Sequence, residues 1–199
     1  MNGLFSIVIA YLLGSIPFGY VLTRFTTGRD VRASGSGNIG ATNVMRTAGK
    51  TLGLATLALD ILKGTLAVFA SDKMTNGDPM WMALAALAVC AGHVFPVFLN
   101  FKGGKAVATF AGAFGFLMPI PLLATMLVFI IGVAATKHIS AGSILGAGTF
   151  PLGAWLILHP TWIELLCAVA ACAMVIYRHK ENMARMHAGT ESVFRWSKK

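Results

Sequence analysis

Apolar runs follow one another along almost the whole chain, and this feature restricts the possible folds more than any other. A helix needs about 20 apolar residues to cross the hydrocarbon core of a bilayer. The 199-residue sequence offers five such stretches, at 4–23, 51–70, 80–99, 106–136 and 143–177. Only 12% of the residues are charged, roughly half the fraction typical of a soluble domain. The pattern predicts an all-α integral membrane protein and excludes a soluble catalytic domain.

The last two stretches are too long for single spans, and each contains helix breakers. These are Pro119 and Pro121 in the first stretch, and His159 and Pro160 in the second. Splitting both predicts seven transmembrane helices, of which the fourth, at 106–118, is short. Six spans would place the basic C-terminal tail outside, and five would require unusually long helices. The chain is expected to be one transmembrane domain over 1–199, with an uncleaved first span.

Basic residues determine the expected orientation. With seven spans, fourteen of the sixteen Lys and Arg residues fall in loops or the tail on one side of the membrane. Loops rich in Lys and Arg face the cytoplasm. We therefore expect the N terminus outside and the C terminus in the cytoplasm.

The first cytoplasmic loop contains the segment SGSGNIGATNVMR, from Ser34 to Arg46. It matches the dinucleotide pattern GxGxxG, but that pattern requires a preceding β-strand, and here a transmembrane helix precedes it. Glycines let backbone N–H groups converge on an oxyanion, and hydroxyl, amide and guanidinium groups suit phosphate. The alternative is a flexible glycine-rich turn. The predicted phosphate contacts are Gly35, Ser36, Gly37, Asn38, Thr42, Asn43 and Arg46.

The second loop ends in Lys102-Gly103-Gly104-Lys105, directly before a span. Two ammonium groups, two glycines and the N terminus of a helix could together bind a phosphate. The alternative is a basic flank that only fixes topology. His93, at the inner end of the third span, is interpreted as a structural residue rather than a catalyst.

The tail from Arg178 contains no breaker before Gly189 and is predicted to prolong the seventh span as a helix. His179 and Asn182 would then lie one turn apart on one face. An amphipathic helix lying on anionic lipid is the alternative. Within the second span, Asp60 and Lys63 are spaced i,i+3 and are expected to form a structural ion pair.

These segments resemble the bacterial acyl-phosphate:glycerol-3-phosphate acyltransferases, the PlsY family. The resemblance rests on AYLLGSIPFG, GSGNIGATNVMR, GHVFPVFLNFKGGKAVAT and RHKENMARMHAGTE and covers essentially the whole chain. One difference is that the family usually has glycine where this chain has Ala106. The resemblance implies catalytic roles for Ser36, Arg46, Lys105, His179 and Asn182. It also implies substrate contacts by Gly103, Gly104 and Ser143, and a structural role for Glu191.

The resemblance also implies the reaction. The 1-hydroxyl of glycerol 3-phosphate would attack an acyl phosphate, giving 1-acylglycerol 3-phosphate and phosphate for phospholipid synthesis. The expected location is the bacterial inner membrane, with the active site on the cytoplasmic face. The enzyme that makes acyl phosphate is a candidate partner, and no cofactor, metal or nucleic acid is expected.

Two questions stay open at this point. His179 could be a general base or a hydrogen-bond donor, and the reactivity of acyl phosphate favours the donor. An organic-phosphate transporter or channel with a cationic cytoplasmic vestibule is the alternative function. It is disfavoured because the motifs gather on one face and no internal repeats are visible.

Overall fold

The structure is a computed structural model that describes residues 1–194, and all regular elements in this range are helical. The predicted all-α class is therefore confirmed. Two short 3₁₀ turns lie at Val31–Ala33 and Val97–Leu99. The α-helices are α1 (Asn2–Ser15), α2 (Phe18–Thr27), α3 (Ala41–Ala48), α4 (Lys50–Thr75), α5 (Pro79–Val94), α6 (Val107–Leu117), α7 (Pro119–Thr136), α8 (Ile139–Leu158), α9 (Trp162–Tyr177) and α10 (Lys180–His187).

Five helical segments in residues 1–194 are long and apolar enough to cross a membrane. A sixth exists if the bent pair α9 and α10 is taken as one span. Helix α6, the predicted fourth span, has only 11 residues, which at a rise of 1.5 Å per residue cover about half of the hydrocarbon core. The number of seven spans and the orientation stay predictions. The five segments that are long and apolar enough to cross a membrane are Asn2–Thr27, Lys50–Thr75, Pro79–Leu99, Pro119–Thr136 and Ile139–Leu158.

The chain forms two compact units, residues 1–117 and residues from 118 onward, called here the first and second units. In the first unit, α1 packs on α5 and α4 packs on α6. Glycines permit these close approaches, since a Cβ on Gly14 would meet the backbone of Val89 and one on Gly64 would meet the backbone of Thr109. In the second unit, α8 packs between α7 and α9. The single domain expected over 1–199 stays a prediction.

The first span is broken at Pro17, and the buried pair Asp60 and Lys63 stabilises the break. Proline cannot donate a backbone hydrogen bond, so carbonyls of the preceding turn lose their helical partners. Lys63 Nζ donates to the carbonyls of Gly14 at 3.0 Å and Ile16 at 2.8 Å. It also lies 2.9 Å from Asp60 Oδ1, and both side chains are 3% exposed. The predicted ion pair is thus present, and it holds α4 against the broken helix.

The tail differs from the continuous helix that the sequence predicts. Helix α9 ends at Tyr177, and α10 starts at Lys180 after a bend of 47°. The cause is His179, whose Nδ1 lies 2.7 Å from the carbonyl oxygen of Val175. That oxygen would accept the backbone N–H of His179 in an uninterrupted helix, but this N–H donates to Ile176 instead. Competition between side chain and backbone therefore ends the helix.

Candidate active site

The side chain of Asn43 is hydrogen-bonded to the backbone of the glycine-rich segment in the first unit. Its side chain is 2% exposed, and its Oδ1 accepts the backbone N–H of Ser36 at 2.9 Å. Its Nδ2 lies within hydrogen-bonding distance of three backbone carbonyls, those of Val31, Ser34 and Asn38. The side chain of Asn43 is hydrogen-bonded to the loop backbone. This arrangement does not fit the predicted direct contact of Asn43 with phosphate. Burial among loop carbonyls is a property that the spacing of the motif does not reveal.

Other members of this motif remain at the surface. Ser36, Thr42 and Arg46 are exposed, and Thr42 lies in the first turn of α3, whose N terminus has no side-chain cap. Asn38 Oδ1 accepts the backbone N–H of Gly40 at 2.8 Å and so leads the chain into α3. The predicted donors that can face a substrate are therefore the hydroxyl groups and the guanidinium group.

The glycines of the motif are needed for two different reasons. Gly35 and Gly37 have φ values of 63° and 68°, a left-handed region that other residues adopt at a cost. In addition, a Cβ on Gly35 would collide with Asn43 Oδ1. The loop is braced on its N-terminal side by Asp30, which accepts the backbone N–H of Arg32 and lies 2.7 Å from its guanidinium group. These hydrogen bonds hold the pKa of Asp30 below its usual value.

Gly103 and Gly104 use their backbone N–H groups inside the protein. They donate to the carbonyls of Val94 at 3.2 Å and His93 at 3.0 Å, at the C-terminal end of α5. Both glycines are buried, and a Cβ on either would collide with this end of α5. These two N–H groups are thus bonded within the protein, and the close approach of the glycines to a phosphate stays a prediction. The hydrogen bonds dock the loop on α5, and in this loop Lys105 is half-buried while Lys102 is exposed.

Ala106 has a left-handed backbone, with φ of 58°, and is 1% exposed. A residue with a Cβ in this region costs roughly 1–2 kcal/mol more than glycine, which explains why glycine suits the position.

We expect Ala106→Gly to raise the free energy of unfolding by about 1 kcal/mol, since the relief of strain exceeds the extra entropy of the unfolded chain. Thermal unfolding of purified protein in detergent measures the change. Ala108→Gly, the same substitution inside α6, is the matched control and should destabilise by about 0.5–1 kcal/mol. Equal effects of the two substitutions would contradict the role of backbone strain.

His179 in the second unit has a defined tautomer. Its partner at Nδ1 is the carbonyl oxygen of Val175, which can only accept. Nδ1 therefore carries the hydrogen, and in the neutral ring Nε2 carries the lone pair. The ring is 3% exposed. In this tautomer the neutral ring accepts at Nε2, and only the protonated ring donates there.

Glu191 is the centre of a hydrogen-bonded cluster in the second unit. Its Oε1 accepts from Asn182 Nδ2 at 2.6 Å and from Ser140 Oγ at 2.9 Å, and its Oε2 accepts from Arg185 Nε at 2.7 Å. Burial raises the pKa of Glu191, but these hydrogen bonds outweigh burial and hold the pKa below its usual value. The carboxylate thus fixes the amide of Asn182 with Nδ2 towards it.

Ser140 is a member of this cluster that sequence reasoning missed. Its only signal was its position one turn before Ser143 on the same helix. The hydroxyl of Ser143 donates to the carbonyl of Ile139 within α8 at 2.9 Å, and the residue is 5% exposed. Ser143 was predicted to contact substrate, yet in this structure Ser140 supports the cluster around Glu191.

The sequence is similar to known proteins over almost its whole length. A model of the glycerol-3-phosphate acyltransferase family matches residues 4–189. A glycerol-3-phosphate acyltransferase of Geobacter sulfurreducens is 44% identical over 196 residues, covering 98% of this chain and 99% of the relative. One of Trichlorobacter lovleyi is 48% identical over 195 residues, covering 97% and 98%.

Two crystal structures of PlsY, described as an integral membrane glycerol 3-phosphate acyltransferase, are similar in fold. The glycerol 3-phosphate form is 37% identical with a TM-score of 0.92, and the lysophosphatidic acid form is 36% identical with a TM-score of 0.88. Each comparison covers 98% of this chain and 96% of the other.

Proposed function

We propose that this chain, which belongs to the glycerol-3-phosphate acyltransferase family, transfers a fatty acyl group from acyl phosphate to the 1-hydroxyl of glycerol 3-phosphate. The products are 1-acylglycerol 3-phosphate and inorganic phosphate. One observation carries this proposal: the similar PlsY structures are forms with glycerol 3-phosphate and with lysophosphatidic acid, which are the acceptor and the product of such a transfer.

In the proposed step, the oxygen of the 1-hydroxyl forms a bond to the acyl carbonyl carbon. The bond between this carbon and the phosphate oxygen breaks, and phosphate leaves with the electron pair. Because phosphate is a good leaving group, the protein mainly positions two anions and stabilises charge. Arg46 and Lys105 are the proposed electrostatic contacts, and the exposed hydroxyl of Ser36 is a proposed substrate contact.

The hydroxyl proton has to be accepted as the ester bond forms. We assign this role to Nε2 of His179, because the carbonyl of Val175 keeps the hydrogen on Nδ1. Asn182 and Glu191 lie on or directly after α10, the helix that His179 precedes. The carboxylate of Glu191 fixes the orientation of the Asn182 amide, so Asn182 is proposed to bind substrate and Glu191 to position it.

Acyl phosphate is the proposed donor because the chain lacks the HxxxxD dyad of acyltransferases that use soluble donors. The nearest sequence match pairs His159 with Glu164. Glu164, however, caps α9, with its carboxylate accepting from both the backbone N–H and the hydroxyl of Thr161 at 2.8 Å. This carboxylate therefore has a structural role.

The predicted seven-span topology would place the proposed activity on the cytoplasmic face of the bacterial inner membrane. Of the six tail cations behind the charge argument, Arg195, Lys198 and Lys199 lie outside the described residues.

Single cysteines in a cysteine-free background test the orientation, with an impermeant maleimide on intact cells as the reagent. Asn76→Cys and Ala188→Cys are suitable because both positions are exposed. We expect label only at position 76, with position 188 reacting after permeabilisation. Label at position 188 in intact cells would refute the orientation.

The transporter alternative has no support among the similar proteins reported above. Phosphate release from acyl phosphate that depends on glycerol 3-phosphate tests the proposed function. Uptake of glycerol 3-phosphate into vesicles without acylation would favour the transporter.

A further inference from the structure

We propose that His93 is a positioning residue that holds Lys105 in place from both sides of the lysine. The proposal rests on the proposed function, in which Lys105 binds a phosphate group. It concerns contacts within the first unit only.

The first contact lies before Lys105 in the chain. The carbonyl of His93 accepts the backbone N–H of Gly104 at 3.0 Å. The imidazole lies against the same glycine, since a Cβ on Gly104 would collide with His93 Nε2 and approach Cδ2 and Cε1 within 3.0 and 3.2 Å. Gly104 is thus held by the backbone and the side chain of one residue.

The second contact lies after Lys105. His93 Nδ1 is 3.1 Å from the hydroxyl of Thr109, which is in the first turn of α6 and fully buried. In the sequence, Lys105 lies between Gly104 and this turn. The imidazole of His93 therefore lies against the backbone of Gly104 before the lysine and near the hydroxyl of Thr109 after it. A shift of the imidazole would move both ends of the short segment that carries Lys105.

Buried charged groups lie beside the imidazole. Asp60 Oδ1 lies 3.6 Å from His93 Nδ1 and 2.9 Å from Lys63 Nζ, and Lys63 binds the carbonyls of the broken first span. His93 is 4% exposed. Buried polar groups, each within 4 Å of the next, therefore extend from the proline break of the first span to the loop that presents Lys105.

The kinetic effect of replacing His93 distinguishes a side chain that positions the loop from one that only fills space. We expect His93→Asn to raise the KM for glycerol 3-phosphate on the order of tenfold, with kcat changed by less than about threefold. Loosening a charge-assisted phosphate contact weakens binding in the ground state and the transition state alike. Asparagine keeps a polar atom near the position of Nδ1 but lacks the ring edge against Gly104.

A double-mutant cycle tests the contact directly. Gly104→Ala should raise KM in the wild-type background because its Cβ collides with the imidazole. In the His93→Asn background the ring edge is absent, so Gly104→Ala should add less than about twofold. Additive losses in the cycle would overturn the proposal.

Thr109→Val provides a second variant should His93→Asn not fold. We expect it to raise KM about threefold, because it removes the hydroxyl partner of the imidazole while keeping the side-chain shape. The matched control is Thr56→Val, whose equally buried hydroxyl donates within α4 to the carbonyl of Leu52. Equal KM values for Thr109→Val and Thr56→Val would contradict the positioning role.

Hydrogen exchange separates this inference from the proposed function. In the peptide spanning 99–108, the amides of Gly103 and Gly104 should exchange faster in His93→Asn than in wild type, and Thr56→Val should leave them unchanged. Unchanged exchange in His93→Asn would overturn the inference even if the enzyme is active. Absence of wild-type turnover together with faster exchange would reject only the proposed function.

Discussion

Arg46→Ala and Lys105→Ala are each expected to lower kcat/KM for glycerol 3-phosphate on the order of ten- to a hundredfold. Each substitution removes a charge-assisted contact to phosphate, worth about 1.5–3 kcal/mol. Arg46 is exposed on α3, the helix whose Asn43 is hydrogen-bonded to the backbone of the preceding loop. Lys105 follows two glycines whose N–H groups donate to the end of α5. Both side chains are thus carried by backbone that is already ordered. Steady-state assays on purified variants measure the loss.

Lys50→Ala is the matched control for these two variants. Lys50 is exposed, starts α4 and belongs to the same predicted cytoplasmic loop as Arg46, so its removal takes the same charge from that side of the membrane. If the cations served only topology, all three substitutions would have similar small effects. Recovery of each variant from the membrane fraction and a single symmetric peak in size-exclusion chromatography confirm that it is inserted and folded.

His179→Gln is expected to lower kcat roughly a hundredfold or more, as for loss of a general base. The glutamine amide can reach the position of Nε2 and bind there, but it cannot accept a proton. His179→Asn, whose amide reaches only the position of Nδ1, can still donate to the carbonyl of Val175 and should be equally inactive. The acidic limb of the pH profile of kcat should flatten in both variants.

The two replacements of His179 separate base from donor. A donor role predicts that His179→Gln keeps turnover within a few-fold of wild type, because an amide donates well, whereas His179→Asn does not. A pH profile of unchanged shape in His179→Gln would likewise exclude the base. Near-normal turnover in His179→Gln would restore the interpretation drawn from the sequence alone.

Features that depend on local pattern were predictable from the sequence. The apolar runs located the helices, and Pro119 and Pro121 located the end of the short α6 and the start of α7. The spacing i,i+3 predicted the ion pair of Asp60 and Lys63, because these positions are neighbours on any helix. The roles of the motif residues in binding phosphate stay predictions.

Features that depend on contacts between distant residues were not predictable. Spacing placed Gly103 and Gly104 beside two lysines, but it did not indicate that carbonyls at the end of α5 accept the N–H groups of both glycines. Ser140 and Glu191 are 51 residues apart in the chain, so no local pattern joins them. The bend at His179 results from one side chain competing for one carbonyl, and helix propensity does not encode this competition.

Donor specificity is the most direct test of the proposed reaction. Purified protein is given glycerol 3-phosphate with either palmitoyl phosphate or palmitoyl-CoA at the same concentration, and 1-acylglycerol 3-phosphate and inorganic phosphate are measured together. With Arg46→Ala as the control for contaminating activity, we predict that palmitoyl phosphate gives the two products in equal amounts and that palmitoyl-CoA gives no lipid product. Comparable turnover with palmitoyl-CoA, or no acylation with either donor, would contradict the proposed reaction.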